Sequence, residues 1–160
     1  MIKDVTDLEV YQISLTLVQK VYEFIRQLPK SELDSVSQIR RAAKSVTANI
    51  AEGFAKRSSE KEFKRFLKIS IGSSDEIVTH LRTIYFAVPR LQQNMKELAN
   101  EYKTLSKRIN KLHSIWKSDR FWLSDSLILP ILRVFWLSGN LSFPIVRLAK
   151  KQILHRHTNQ

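Results

Sequence analysis

Glu76 and His80 come nearest to a metal or acid–base pair in this chain, and their spacing argues against one. Di-metal sites in helical proteins use Glu-x-x-His pairs, three residues apart, supplied by two facing helices. Glu76 and His80 are four apart, and no second pair follows. His155-Arg156-His157 lies in a polar C-terminus, where a loose end is the simpler reading. Ser58-Ser59-Glu60-Lys61 fits a Ser-x-x-Lys pattern, but nothing else of a β-lactamase follows, so Ser59 reads as a helix cap. Gly53, Gly72 and Gly139 stand too far apart for a phosphate-cradling loop. Asn140-Leu141-Ser142 is a glycosylation match without a secretory context. No catalytic residue, metal or cofactor is expected, and the chain reads as non-enzymatic.

Charge is the chemistry that does accumulate. Lys and Arg number 27 against 15 Asp and Glu, a net charge of +12. Such an excess favours polyanions and speeds association with them. Lys56, Arg57, Lys61, Lys64, Arg65 and Lys68 crowd one stretch, diluted by Glu60 and Glu62. Arg40 and Lys44 precede them, and Lys96, Lys103, Lys107, Arg108 and Lys111 form a later row. Arg40, Lys44, Lys56, Arg57, Lys61, Lys64, Arg65 and Lys68 are the expected nucleic-acid-binding residues. No aromatic platform interleaves these lysines, so base stacking is not expected and binding should go by shape and charge. The competing reading is a solvated face with intrahelical pairs such as Glu60 with Lys64.

Four helices must position these charges. Thr6 with Glu9 reads as a capping box that starts the first, and Leu28-Pro29 stops it. Its apolar residues fall in two stripes: Leu8, Tyr11, Leu15, Val18, Tyr22 and Ile25, and beside them Val10, Leu17, Val21 and Phe24. A face that wide implies a subunit interface next to the core, or a broad core in a monomer. In the second helix Ile39, Ala42, Ala43, Val46 and Ile50 form a narrow stripe of small residues, which invites close packing. Ser35 is its expected cap, and Gly53 its interruption or end. A third helix opens on a Ser59–Glu62 capping box and runs to Val88 before Pro89. Gly72 within it suggests close approach of another backbone, or else a kink. The fourth, capped by Asn94 with Glu97, carries the cleanest seam: Leu91, Met95, Leu98, Tyr102, Leu105, Ile109, Leu112 and Trp116, alternately four and three apart.

Short joins make this an all-α, up-down-up-down antiparallel four-helix bundle over residues 4–117. A tail, residues 118–160, follows: apolar from Phe121 to Leu137, then basic. The apolar stretch is too short for a membrane span and is interrupted by Asp125, Pro130 and Arg133. It reads as a fifth packed element, a membrane-surface segment or an addition foreign to the bundle. Cysteine is absent, which removes disulfides and thiolate chemistry and suits the cytoplasm. No apolar run opens the chain, so no signal peptide is expected.

Gln38-Ile39-Arg40-Arg41-Ala42-Ala43, Ser45 and Asn49-Ile50-Ala51-Glu52-Gly53 resemble the signature of a bacterial four-helix-bundle family. Asp7-Leu8-Glu9-Val10-Tyr11, Glu62-Phe63 and Ile71-Gly72-Ser73-Ser74-Asp75-Glu76 agree with it. The family includes proteins encoded in intervening sequences of large-subunit ribosomal RNA genes and accessory variability determinants of diversity-generating retroelements. Arg41, Asn49 and Glu52 match its polar positions, either as a buried network fixing helix register or as ligand contacts. The resemblance implies a ring or barrel of identical subunits, five in the retroelement proteins, that assists a reverse transcriptase. The expectation is thus a homo-oligomer that binds RNA or an RNA–DNA hybrid. The alternative is a protein–protein interaction module whose charge serves solubility.

Overall fold

Helical periodicity in the sequence becomes four helices in the computed structural model, which describes residues 2–118. They are α1 (Glu9–Ile25), α2 (Leu33–Ala55), α3 (Glu60–Thr83) and α4 (Gln92–Ile115). Single 3₁₀ turns at Val5–Asp7, Lys30–Glu32 and Pro89–Leu91 make or flank the joins, and no strand occurs among the described residues. Each helix packs on the next and α1 returns to α4, so the four close into a bundle. The expected tail lies outside the described residues, apart from Ser118.

Helix ends differ from the capping pattern in an instructive way. The capping box at the start belongs to Asp4 and Asp7 around the 3₁₀ turn, not to Thr6 and Glu9, and α1 itself begins at Glu9 without a side-chain cap. There Asp4 accepts from the Thr6 backbone at 2.9 Å and Asp7 accepts from the Asp4 backbone at 3.0 Å. Thr6 lies inside the 3₁₀ turn and Leu8 becomes the N-cap of α1, so the Thr6 hydroxyl is not placed to cap that helix. Ser35 lies inside α2, and its hydroxyl donates to Glu32. Ser59 does cap α3, accepting from the Glu62 backbone at 3.3 Å. That helix stops at Thr83, and residues from Ile84 onward turn back through bonds to the Ile84 carbonyl. Asn94 is inside α4, which starts two residues earlier at Gln92.

The seams are as the spacing foretold. Every residue of the α4 seam is buried except Leu112, which is half-buried. On α1 the second stripe, Val10, Leu17, Val21 and Phe24, enters the core with Leu8 and Ile25. Tyr11, Val18 and Tyr22 are half-buried and Leu15 is 45% exposed, so the first stripe turns outward along its middle.

The α2–α3 contact is the most extensive in the bundle, and small residues explain it. Gly53 does not end α2. It lies within the helix where α3 crosses, and an added Cβ would sit 2.7 Å from Phe66 Cβ. Gly72 has the opposite surroundings: it is exposed, with nothing within 4 Å of such a Cβ. Neither close approach among the described residues nor a helix break explains it. Serines serve the close contact instead. Ser70 donates to the Val46 carbonyl at 3.0 Å, Ser74 to the Tyr102 carbonyl at 3.0 Å, and Ser45 and Ser73 share a bond of 2.8 Å. Ser106 completes a chain to Ser74 at 2.8 Å. Buried hydroxyls paired this way bind α2, α3 and α4 at one azimuth, because a slip would orphan them.

Candidate nucleic-acid interface

The core stripe of α3 leaves a complementary outer row. Lys61, Arg65, Lys68, Gly72, Asp75, Thr79 and Arg82 recur four and three apart, and all are exposed. The matching row of α4 is Lys96, Lys103 and Lys107, also exposed. Where α3 and α4 meet, these rows approach. Near the α3 C-terminus a cleft of about 260 Å³ is lined by Arg82, Tyr85, Lys96 and Lys103 over Leu81 and Met95. Toward the other end, His113 of α4 lies beside Lys64 and Lys68 of α3. Burial first, then those two ammoniums, hold its imidazole below the ordinary value. Lys64 at 2.7 Å and Lys117 at 3.4 Å share one carboxylate, Glu60. The hydrogen bond from Lys64 is the largest reason that Glu60 titrates below its usual range. From Lys64 to Arg82 the helix rises about 27 Å, long enough to follow several phosphates of a strand.

The α1–α4 seam is built otherwise. A groove of about 370 Å³ opens there between Ile13, Leu17 and Leu105. Two ion pairs cross this seam, Lys20 with Glu101 and Arg108 with Glu9. Its cations are thus neutralised locally. On the α3–α4 face, Lys68, Arg82, Lys96, Lys103 and Lys107 have no ion pair among the described residues, and Asp75 is the one acid in either outer row.

The eight cations expected from sequence do not form one patch. Arg40 and Lys44 are exposed, and Lys44 stands 6.0 Å from the Tyr22 ring of α1. Lys56 and Arg65 clasp the Phe66 ring from 4.4 Å each, and they pair with Glu52 and Glu62 of their own helices. Arg57 folds back, its guanidinium 4.1 Å from the Phe54 ring and donating to the Phe54 carbonyl. Lys61, Lys64 and Lys68 remain on the outer or α4-facing side. Arg82 was missing from the expectation, yet it shares a cleft with Lys96 and Lys103. Of the α4 lysine and arginine row, Arg108 turns to α1 instead.

Arg41, Asn49 and Glu52 are not brought together as a buried network. Arg41 and Glu52 are exposed, and Glu52 pairs with Lys56 one turn on. Asn49 alone is drawn inward, its amide donating to the Ser45 carbonyl and hydroxyl at 2.7 and 3.0 Å. The buried polar links are the serines, and their three-and-four spacing, Ser70, Ser73, Ser74, was the available signal. Glu76 and His80 are 3.9 Å apart on one helix face, and no group of three potential metal ligands forms among the described residues. No described helix is long and apolar enough to cross a membrane.

Sequence comparison bears on this geometry. No curated protein matches the chain. The family model of the 23S rRNA-intervening sequence protein matches residues 6–111, which span α1 to α3 and most of α4. That match is in keeping with an all-helical bundle whose signature stretch forms α2, and the chain belongs to the 23S rRNA-intervening sequence protein family.

Proposed function

We propose that this protein binds RNA, as duplex or as RNA–DNA hybrid, through charge and shape on its α3–α4 face, and acts by binding rather than catalysis. The observation that carries the reading is the contrast between two seams of one bundle. Cations at the α1–α4 seam are matched by carboxylates across it, whereas at the α3–α4 seam Lys64 and Lys117 share Glu60 and Lys68, Arg82, Lys96, Lys103 and Lys107 have no ion pair among the described residues. Unmatched cations repel one another and cost stability, which a phosphate polymer repays by releasing its counterions. The family name, with its ribosomal RNA origin, supports a nucleic-acid partner.

Self-association is the second part of the reading. The outward stripe of α1, with Leu15 45% exposed between half-buried Tyr11, Val18 and Tyr22, offers an apolar flank that a second copy would cover. Copies arranged in a ring would repeat the basic face and add weak contacts through multivalency. Light scattering on a sizing column should give a multiple of 18.7 kDa, with five subunits as the count to test. In fluorescence anisotropy with an RNA duplex, log affinity should fall linearly with log salt, by about 0.9 for each phosphate neutralised. Absence of binding at low salt rejects the reading and leaves a protein–protein module.

A further inference from the structure

Phe86 is the most exposed large apolar side chain described, at 82%. It does not belong to a fraying end. The turn that presents it is tied by Ala87 and Val88 amides to the Ile84 carbonyl, at 3.1 and 3.2 Å. Gln92 donates to the Tyr85 carbonyl at 3.2 Å, Val88 is buried, and Arg90 holds the Gln27 carbonyl at 2.8 Å. The Tyr85 and Phe86 rings meet edge to face, with centroids 5.1 Å apart. Tyr85 in turn lines the cleft of Arg82, Lys96 and Lys103, with the Lys96 ammonium 5.5 Å from its ring. A fixed, open aromatic face therefore stands one ring away from three cations, and no carboxylate lines that cleft.

We infer that the α3–α4 turn is a stacking site for an unpaired nucleotide: one base lies on Phe86 while its phosphates engage Arg82, Lys96 and Lys103. Single-strand-binding proteins combine these two elements, an aromatic face that accepts any base and cations that follow the backbone. The covered rings elsewhere cannot serve, since Phe66 is buried beneath Lys56 and Arg65. The inference deepens the proposed RNA binding and rests on it. It adds that a strand end or bulge reaching this turn is preferred to a flush duplex.

The test uses the full chain, a short single-stranded RNA carrying a fluorescent adenine analogue, and a blunt RNA duplex. Phe86→Ala should weaken single-strand affinity about tenfold, abolish the fluorescence change and leave duplex affinity as it was. Phe86→Tyr should restore both single-strand signals. Parental single-strand binding by Phe86→Ala overturns the stacking site, and duplex binding that persists leaves the wider reading in place. An equal loss for duplex and single strand, or a change in molecular mass, also overturns it; the latter makes Phe86 a subunit contact. If the parent protein binds neither RNA at low salt, the proposed function itself fails.

Discussion

Tyr102 carries an internal cost that a single atom explains. It is fully buried at the centre of the α4 seam, and its hydroxyl has no hydrogen-bond partner among the described residues. Burial, and secondarily the Glu101 charge, push its titration far up, so it stays a neutral phenol. Tyr102→Phe keeps the ring and removes the orphan oxygen. It should stabilise the fold by about 1 kcal/mol, seen as a melting temperature a few degrees higher. A lower melting temperature would mean that a water inside the bundle satisfies the hydroxyl. His113 links the fold to pH. It faces Lys64 and Lys68 of α3, with Lys117 just past the end of its own helix and Glu60 engaged by both Lys64 and Lys117. Its folded value lies below 6.5, so as pH falls past 6.5 the unfolded chain takes up a proton that the folded chain refuses. The stability it contributes is present above that pH and is lost on acidification. A phosphate bound between Lys64 and Lys68 reverses the local field and raises the imidazole. RNA affinity should therefore rise from about pH 7.5 to about pH 6, and His113→Gln should flatten that rise in an anisotropy titration.

Two glycines test how the helices pack. Gly53→Ala would place a methyl 2.7 Å from Phe66 Cβ and 3.0 Å from the Phe63 ring. Phe66 Cβ is fixed to its backbone, so α2 and α3 must part along their most extensive contact. A loss of about 1–3 kcal/mol in a denaturant melt is expected. Gly72→Ala meets open space and removes backbone freedom from a helix interior, so it should add about 1 kcal/mol. If a neighbouring copy crosses α3 there, the same change will instead reduce the molecular mass measured by light scattering. These residues also mark how far the sequence could be read. The α4 seam was legible residue by residue, because apolar side chains at a heptad spacing leave one solution. Gly53 continues the phase of Val46 and Ile50, and Gly72 continues that of Lys61, Arg65 and Lys68. Phase therefore distinguishes them, whereas glycine propensity alone suggests an end for one and close approach for the other. Caps were less legible, since Asp4–Asp7 and Thr6–Glu9 overlap in sequence and turn geometry chooses between them.

Charge distribution belongs to the whole molecule, and here sequence order misleads. Arg40 and Lys44 are near neighbours of Lys56 in the chain, but Lys44 stands over Tyr22 of α1 with Arg40 one turn before it, while Lys103 and Lys107 lie on the next helix beside α3. A net charge of +12 gives the sign of the partner and nothing about its path. The path depends on which helix stands next to which, and on which carboxylates reach across. Glu9 and Glu101 neutralise the α1–α4 seam from a distance in sequence that no local pattern reveals. A face-specific interface makes a face-specific prediction. Lys68→Ala, Lys96→Ala and Lys103→Ala should each weaken RNA binding and lower the steepness of its salt dependence by about 1, whatever the RNA sequence. Arg40→Ala and Lys44→Ala should leave that slope unchanged, although they remove the same formal charge. General electrostatic attraction would lower affinity equally for all five, because at long range only the total matters and salt screens it beyond about 10 Å. Equal slopes across the set would mean that RNA wraps the molecule. A change confined to the first three would mean that one strand runs along α3 and α4, with Glu60 already occupied by lysines and Asp75 the carboxylate in its way. Asp75→Asn then completes the argument: removing that repulsion should tighten binding at low salt and leave Arg40 and Lys44 as silent as before.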